Sequence, residues 1–231
     1  MKLVSQVLLN ITLFLSFGIF GLAQAGAAPS IGSVTLVHQY AYGKIEGNDR
    51  KSLFSRDDVH QNEVVETVPE GALHLEFVDE TTLRLGSDSS MILNTLIYDP
   101  DRDDDQMVIN LVQGAFRFVS GNIDKKGVRI LTPTLSIAIR GTDFTVAIDA
   151  QGNTAVSVDE GEIDVTANTG GGDPVSISVG QIAAVSTTAT SVSVSTGTSV
   201  SNDPGLSENG PDDGGGSGGG GEGGGEGGGG H

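Results

Sequence analysis

Between residues 73 and 179 the apolar side chains recur at every second position, and that period constrains the fold more than any other feature. Leu73-His74-Leu75-Glu76-Phe77 alternates apolar with polar, as do Thr82-Leu83-Arg84-Leu85, Val128-Arg129-Ile130-Leu131 and Leu135-Ser136-Ile137-Ala138-Ile139. Phe144-Thr145-Val146, Ala155-Val156-Ser157-Val158 and Val175-Ser176-Ile177-Ser178-Val179 continue the pattern. A strand with one buried face produces this alternation, because successive side chains point to opposite sides of the pleat. Val, Ile and Thr dominate these segments and suit a pleated surface. No amphipathic stretch of three helical turns competes. Residues 43–65 read as irregular, with room for one short helical turn. His74, flanked by Leu73 and Leu75, is expected on the solvent face.

Turn chemistry separates the strands at short intervals: Pro69-Glu70-Gly71, Gly86-Ser87-Asp88, Asp149-Ala150-Gln151-Gly152-Asn153 and Asp159-Glu160-Gly161. A glycine followed by an alternating strand recurs at Gly114, Gly141, Gly161 and Gly180. Such a strand–turn–Gly–strand unit, roughly 20 residues long, is what stacked rungs would produce. The spacing is uneven, so two arrangements stay open: a β-solenoid-like roll, which is favoured, and a β-sandwich. Either is all-β, with many short strands across residues 31–190.

Four motifs, at residues 77–85, 111–114, 132–144 and 158–165, stand in an order that resembles the FecR family. Phe77-Val78-Asp79-Glu80-Thr81-Thr82-Leu83-Arg84-Leu85 is similar to its strand–Asp-Gly-Thr–strand turn, and Leu111-Val112-Gln113-Gly114 to its L-x-x-G element. Thr132-Pro133 leads into Arg140-Gly141-Thr142-Asp143-Phe144, similar to the family's T-P and G-T-x-F elements. Val158-Asp159-Glu160-Gly161-Glu162-Ile163-Asp164-Val165 resembles its closing strand pair. The resemblance implies a FecR-type core over about residues 60–166. One departure is Glu80 at the turn glycine, where a positive φ would be strained, so a different turn is expected there. A second concerns function. The resemblance implies bacterial inner-membrane regulators with a cytoplasmic anti-sigma region, and here a cleavable signal is expected directly before the domain. The sigma-regulator role is therefore not carried over.

That signal is read over residues 1–25. Lys2 precedes a mostly apolar Val7–Leu22, and Ala23-Gln24-Ala25 supplies a small-x-small cleavage site. Asn10, Thr12 and Ser16 interrupt the apolar run, which argues against a retained membrane span. Residues 201–231 read as an acidic, glycine-rich, disordered tail, since such a composition cannot offset the entropy of ordering its backbone. The absence of cysteine excludes a disulfide framework, thiolate metal sites and Cys nucleophiles. A formal net charge of −18 excludes the basic surface that nucleic-acid binding requires.

Catalytic and cofactor signatures are missing. The histidines are His38, His60, His74 and His231, without ligand spacing for zinc. There is no G-x-S-x-G elbow and no phosphate-cradling loop. The one candidate metal site is the acidic loop at Asp99, Asp101, Asp103 and Asp105, whose oxygens suit calcium. It is not an EF-hand, because Asp104 replaces the turn glycine and Asn110 the closing acid. A solvated turn is the preferred reading of the same residues. Of the motif residues, Thr132, Pro133, Gly141, Thr142, Phe144 and Gly161 read as structural. Arg140 admits a second role as a contact for a partner's carboxylate.

These observations point to a non-enzymatic protein, periplasmic or secreted, that recognises a protein or polysaccharide. No cofactor is expected, and no membrane insertion once the signal is removed. The alternative is a calcium-responsive or self-associating surface or matrix component; a hydrolase using unlocated carboxylates ranks last.

Overall fold

The computed structural model describes residues 29–101 and 104–211. The alternating segments form seventeen strands joined in one hydrogen-bonded network. Numbered in chain order, they divide into two sheets that share one strand. The first sheet runs β4 (Asp58–His60), β1 (Ser30–His38), β6 (Ala72–Phe77), β7 (Thr82–Leu85), β9 (Gln106–Val119), β12 (Asp143–Ile148), β13 (Thr154–Glu160), β16 (Gln181–Val185) and β17 (Ser193–Thr196). The second runs β3 (Lys51–Leu53), β2 (Ala41–Ile45), β5 (Glu63–Thr67), β8 (Ser90–Ile97), β9, β10 (Val128–Leu131), β11 (Leu135–Ile139), β14 (Glu162–Ala167) and β15 (Val175–Ser178). Every pairing is antiparallel except β9 with β10.

Strand β9 belongs to both sheets. Its residues up to Gln113 pair with β8 and β10, and those from Gly114 onward pair with β7 and β12. Gly114 makes the transfer with φ +110, and a Cβ there would sit 2.1 Å from Ser89 Oγ. From β10 onward the chain lays down hairpins alternately: β10–β11 in the second sheet, β12–β13 in the first, β14–β15 in the second, β16–β17 in the first. Each change of sheet falls on a recurring glycine: Gly141, Gly161 and Gly180, all with positive φ. An L-residue with a Cβ avoids that backbone region, so the glycine recurrence marks the places where the chain changes sheets.

Alternate residues of both sheets meet in one hydrophobic core. Leu73, Leu75, Leu83, Leu85, Phe116, Phe118, Phe144 and Val156 line it from the first sheet, and Val65, Met91, Leu93, Ile109, Ile130 and Ile137 from the second. The rings of Phe118 and Phe144, opposite one another across β9 and β12, lie 5.2 Å apart and tilted by 30°. That aromatic pair adds to the burial of both rings.

Four expectations change. Residues 43–65 hold four strand segments in place of a helical turn, because Ala41, Leu53, Val59 and Val65 alternate into the core across very short strands. His74 is buried, covered by a later part of the chain. Glu80 keeps the positive φ that the family-type turn uses (+67), so the turn is retained without its glycine. Residues 201–211 are folded onto the first sheet through a 3-10 turn, Pro204–Leu206, with Leu206 buried. The remainder of the glycine-rich tail and the signal segment lie outside the described residues.

Candidate functional site

The motif residues tie the scaffold together. Thr132 Oγ1 donates to Leu135 O (3.1 Å) and accepts from Leu135 N (2.8 Å) and from Thr154 Oγ1 on β13 (3.0 Å). Its carbonyl accepts from Asn168 Nδ2 (2.8 Å), and Thr134 Oγ1 donates to Val185 O on β16 (3.2 Å). The Thr132-Pro133-Thr134 turn thus links hairpins of both sheets, with Pro133 against the position where a Gly152 Cβ would lie. Gly161 packs on Gly141: a Cβ at Gly161 would sit 2.2 Å from Gly141 O. Thr142 is buried and exchanges backbone and side-chain bonds with Ser120. Phe144 is fully buried in the core.

The Arg140 side chain is 60% exposed, yet it serves its own chain. Its Nε and Nη2 donate to Asp164 Oδ2 at 2.9 and 2.6 Å, and Glu162 lies 3.4 Å away. Bonds from Ser176 and Arg140 hold the Asp164 carboxyl below its ordinary value. The guanidinium is paired across β11 and β14, which leaves it less to offer a partner.

Two buried carboxylates also serve the scaffold. Asp79 accepts from Thr81 Oγ1 and Thr81 N within its own turn and from Ile123 N at 3.4 Å, while its carbonyl accepts from Asn122 N (2.7 Å). Glu63 points inward against Gly43, accepts from His60 N (3.0 Å) and lies 3.7 Å from Lys51 Nζ. In the acidic loop, Asp105 accepts from Asp99 N (3.2 Å) and Asp124 N (3.1 Å), and Asp99 accepts from Asp101 N (3.1 Å). These bonds shape the turn between β8 and β9. Asp103 lies outside the described residues, and among the described residues no group of three or more His, Asp or Glu is placed to hold a metal ion.

Two surfaces remain that could contact another molecule. On the outer face of the second sheet, the pleat that buries Ala41 and Leu53 turns Tyr40, Tyr42, Ser52 and Phe54 outward. Tyr40 is 62% and Phe54 66% exposed, the two most exposed large apolar side chains among the described residues. Arg50 stacks over the Tyr42 ring at 3.7 Å and pairs with Glu66 at 3.0 Å. Beside them an open groove of about 330 Å³ is lined by Arg50, Glu66, Pro69, Asp88, Ser90 and Gln113. Sequence reading missed this patch because its residues are scattered over five strands and the turns beside them, and those at Arg50, Ser52 and Phe54 fall in residues 43–65, the stretch read as irregular.

The second is the outer face of the first sheet, where His74, Arg84, Arg117, Thr145 and Ser157 stand side by side on successive strands; His74, Thr145 and Ser157 are buried there, and the two arginines are partly exposed. Arg117 makes a bidentate pair with Asp143 (2.9 and 2.6 Å), which raises its pKa. Burial and the neighbouring Arg117 lower that of Arg84. Residues 203–210 cover one end of this row. His74 Nε2 lies 2.8 Å from Gly205 O, and Arg84 Nη1 donates to Leu206 O (3.2 Å).

Residues 63–164 match the family model described as FecR protein, so the chain carries a FecR-like domain. Two crystal structures, at 1.65 and 2.50 Å, carry the description "putative anti-sigma factor" from Parabacteroides distasonis ATCC 8503. Each is 14% identical to this chain, with a TM-score of 0.47 over 59% of it. The chain spans 60% of their length. No curated protein matches it. Among the described residues no helix is long and apolar enough to cross a membrane.

Proposed function

We propose that this chain is a non-enzymatic, exported recognition module that binds a polysaccharide or a protein outside the cytoplasm, using the aromatic face of its second sheet. The observation that carries the reading is the placement of exposed Tyr40 and Phe54 beside a groove of mixed polar character. Aromatic rings offer flat apolar faces to the C–H side of a sugar. The guanidinium, carboxylate and amide of Arg50, Glu66 and Gln113 offer donors and acceptors for its hydroxyls. The few polar groups around an apolar contact give orientation, as in other ligand sites. The FecR-like domain supports an extracytoplasmic place, and the signal-like residues 1–25 support export. Hairpins laid down alternately in two sheets favour the solenoid-like roll over a sandwich of independent sheets.

A glycan array and a pull-down from envelope extract and culture supernatant test the reading together. Capture of a glycan or protein by the natural chain, lost in the Tyr40→Ala/Phe54→Ala double variant, supports it. Negative results in both assays remove it. The calcium reading of Asp99, Asp101, Asp103 and Asp105 is a separate proposal, and calorimetry decides it: no heat and no thermal shift at millimolar calcium eliminates it.

A further inference from the structure

The last described residues behave as a ligand of the rest of the chain. After β17, Gly197 N donates to Gly180 O (3.0 Å), and the chain then leaves the sheet edge. It lands on the outer face of the first sheet, where the Asp203 carboxylate accepts from Ser87 N and from Gly205 N, both at 2.8 Å. Gly205 fits against Ala72 so closely that a Cβ would lie 2.8 Å from the Ala72 Cβ. Leu206, 6% exposed, is the apolar anchor. The carbonyls of Gly205 and Leu206 face His74 Nε2 and Arg84 Nη1, and Glu208 approaches Arg84 Nη2 at 3.7 Å while itself 84% exposed. The segment ends at Gly210, against Leu36 on β1. Apart from β1, the strands beneath it belong to the FecR-like domain, and the segment itself lies beyond that domain.

We infer that this face of the first sheet is a docking site for an extended acidic peptide segment of a partner protein, and that residues 203–208 occupy it in cis. Charge complementarity carries the choice of occupant. Arg84 and Arg117 are adjacent in register and repel one another, Asp143 pairs with Arg117 and attracts Arg84 without a direct bond, and among the described residues the bonded partners of Arg84 are a carbonyl and a solvent-exposed carboxylate. The site therefore wants an anion that the cis segment supplies incompletely. The fit is also incomplete in volume, since a cavity of about 290 Å³ remains among His38, Glu70, Ser87, Asp203, Pro204 and Pro211. The contact rests on two buried residues, Gly205 and Leu206, and four buried or part-buried hydrogen bonds, a footprint small enough for a longer acidic segment to replace. Tethering gives the cis segment a high effective concentration, so it screens the site from weak partners.

The test uses the full chain and a fluorescent peptide with the sequence of residues 201–211. The Asp203→Ala/Leu206→Ser variant, which weakens the cis contact, is expected to bind the peptide at least tenfold more tightly than the natural chain does. Adding Arg84→Ala to that variant is expected to remove the gain, and a scrambled peptide to show none. A folded variant that binds no better than the natural chain, or that binds the scrambled peptide equally, overturns the inference. Hydrogen exchange on the natural chain gives a reading independent of any variant. The Ser87 amide, protected by Asp203, is expected to exchange well before the paired amides of β6 and β7, and exchange at their rate would show a segment too firmly fixed to be displaced. No glycan enters either measurement, so failure here leaves the aromatic face of the second sheet untouched.

Discussion

Glu80 holds a left-handed backbone conformation that costs an L-residue about 1 kcal/mol, and what surrounds it explains why that cost is tolerated. Glu80 N donates to Phe77 O, Phe77 N to Thr81 O, and the buried Asp79 and Thr81 side chains bind one another. Gly121 N then donates to Thr81 Oγ1 (3.0 Å), clamping the turn onto the loop after β9. Glu80→Gly is expected to raise stability by about 0.5–1 kcal/mol, less what is lost with the exposed Asn122 Nδ2–Glu80 Oε2 bond. Urea denaturation checks this, and a lower midpoint in the variant would show that the turn carries no strain. Asp79→Ala works in the opposite direction. It leaves the Thr81 hydroxyl and the Ile123 amide without their acceptor in a buried site, at an expected cost of about 2–4 kcal/mol by the same assay. The turn type was hidden in the sequence because residue preference at one position argued against it, while the bonds that enforce it come from residues 121–123. The Thr132-Pro133 and Gly141-Thr142 motifs were legible as structure, since a proline turn and a positive-φ glycine state their backbone needs locally.

At the level of elements, the alternating strands could be read almost to their ends, and the docked segment 203–210 could not. Alternation reports burial against a sheet directly, so β7, β10 and β11 begin and end where the pattern does. The docked segment has one apolar residue among Gly, Pro, Ser, Asn and acids, and only its tertiary contacts order it. His74 was misplaced for the same reason: it does face outward on β6, but that face is covered. The cover makes docking pH-dependent. Burial lowers the pKa of docked His74 below its ordinary 6.5; the bond with Gly205 O opposes this in part, and the Arg84 charge adds to the lowering. Arg84 stands opposite it on β7, with Arg117 next in register on β9; within the segment Glu208 approaches Arg84 and Asp203 binds the Ser87 amide. Released His74 takes up protons more readily than docked His74. Docking is thus favoured fully above pH 6.5 and loses support as pH falls through 6.5 and past the lowered value. Because the chain has no cysteine, Glu208→Cys carries a single environment-sensitive dye. Its signal is expected to shift between about pH 7 and pH 5, where histidines titrate, and to flatten in the added presence of His74→Gln. An unchanged midpoint in that variant would assign the shift to another group.

Across the whole molecule, strand order predicts where stability is concentrated. What the sequence could not show is which strands share a sheet, because period two fixes one buried face without saying which sheet receives it. The structure assigns that through β9, which has neighbours on both sides in both sheets. Strands β3, β4, β15 and β17 stand at the four ends, each paired on one side only. Each strand is held by the neighbours it pairs with, so opening at an end breaks one pairing and opening at the centre breaks several. Terminal β17 is exposed along its whole length and contributes nothing to the core. Central β9 places Met107, Ile109, Leu111, Phe116 and Phe118 in the core, and Phe118 meets the Phe144 ring there. Amide exchange at neutral pH is therefore expected to run as a gradient. The amides of β17 and β15 should go first, those of β3 and β4 soon after, and those of β9 and β12 last, near the global unfolding free energy. Phe118→Ala, at an expected cost of about 3–5 kcal/mol, should lower protection most in β9 and β12 and compress the gradient from its slow end. Equal protection from β17 through β9 would mean that both sheets open in a single step, and that the shared strand, though it joins them, is no more stable than the edges it supports.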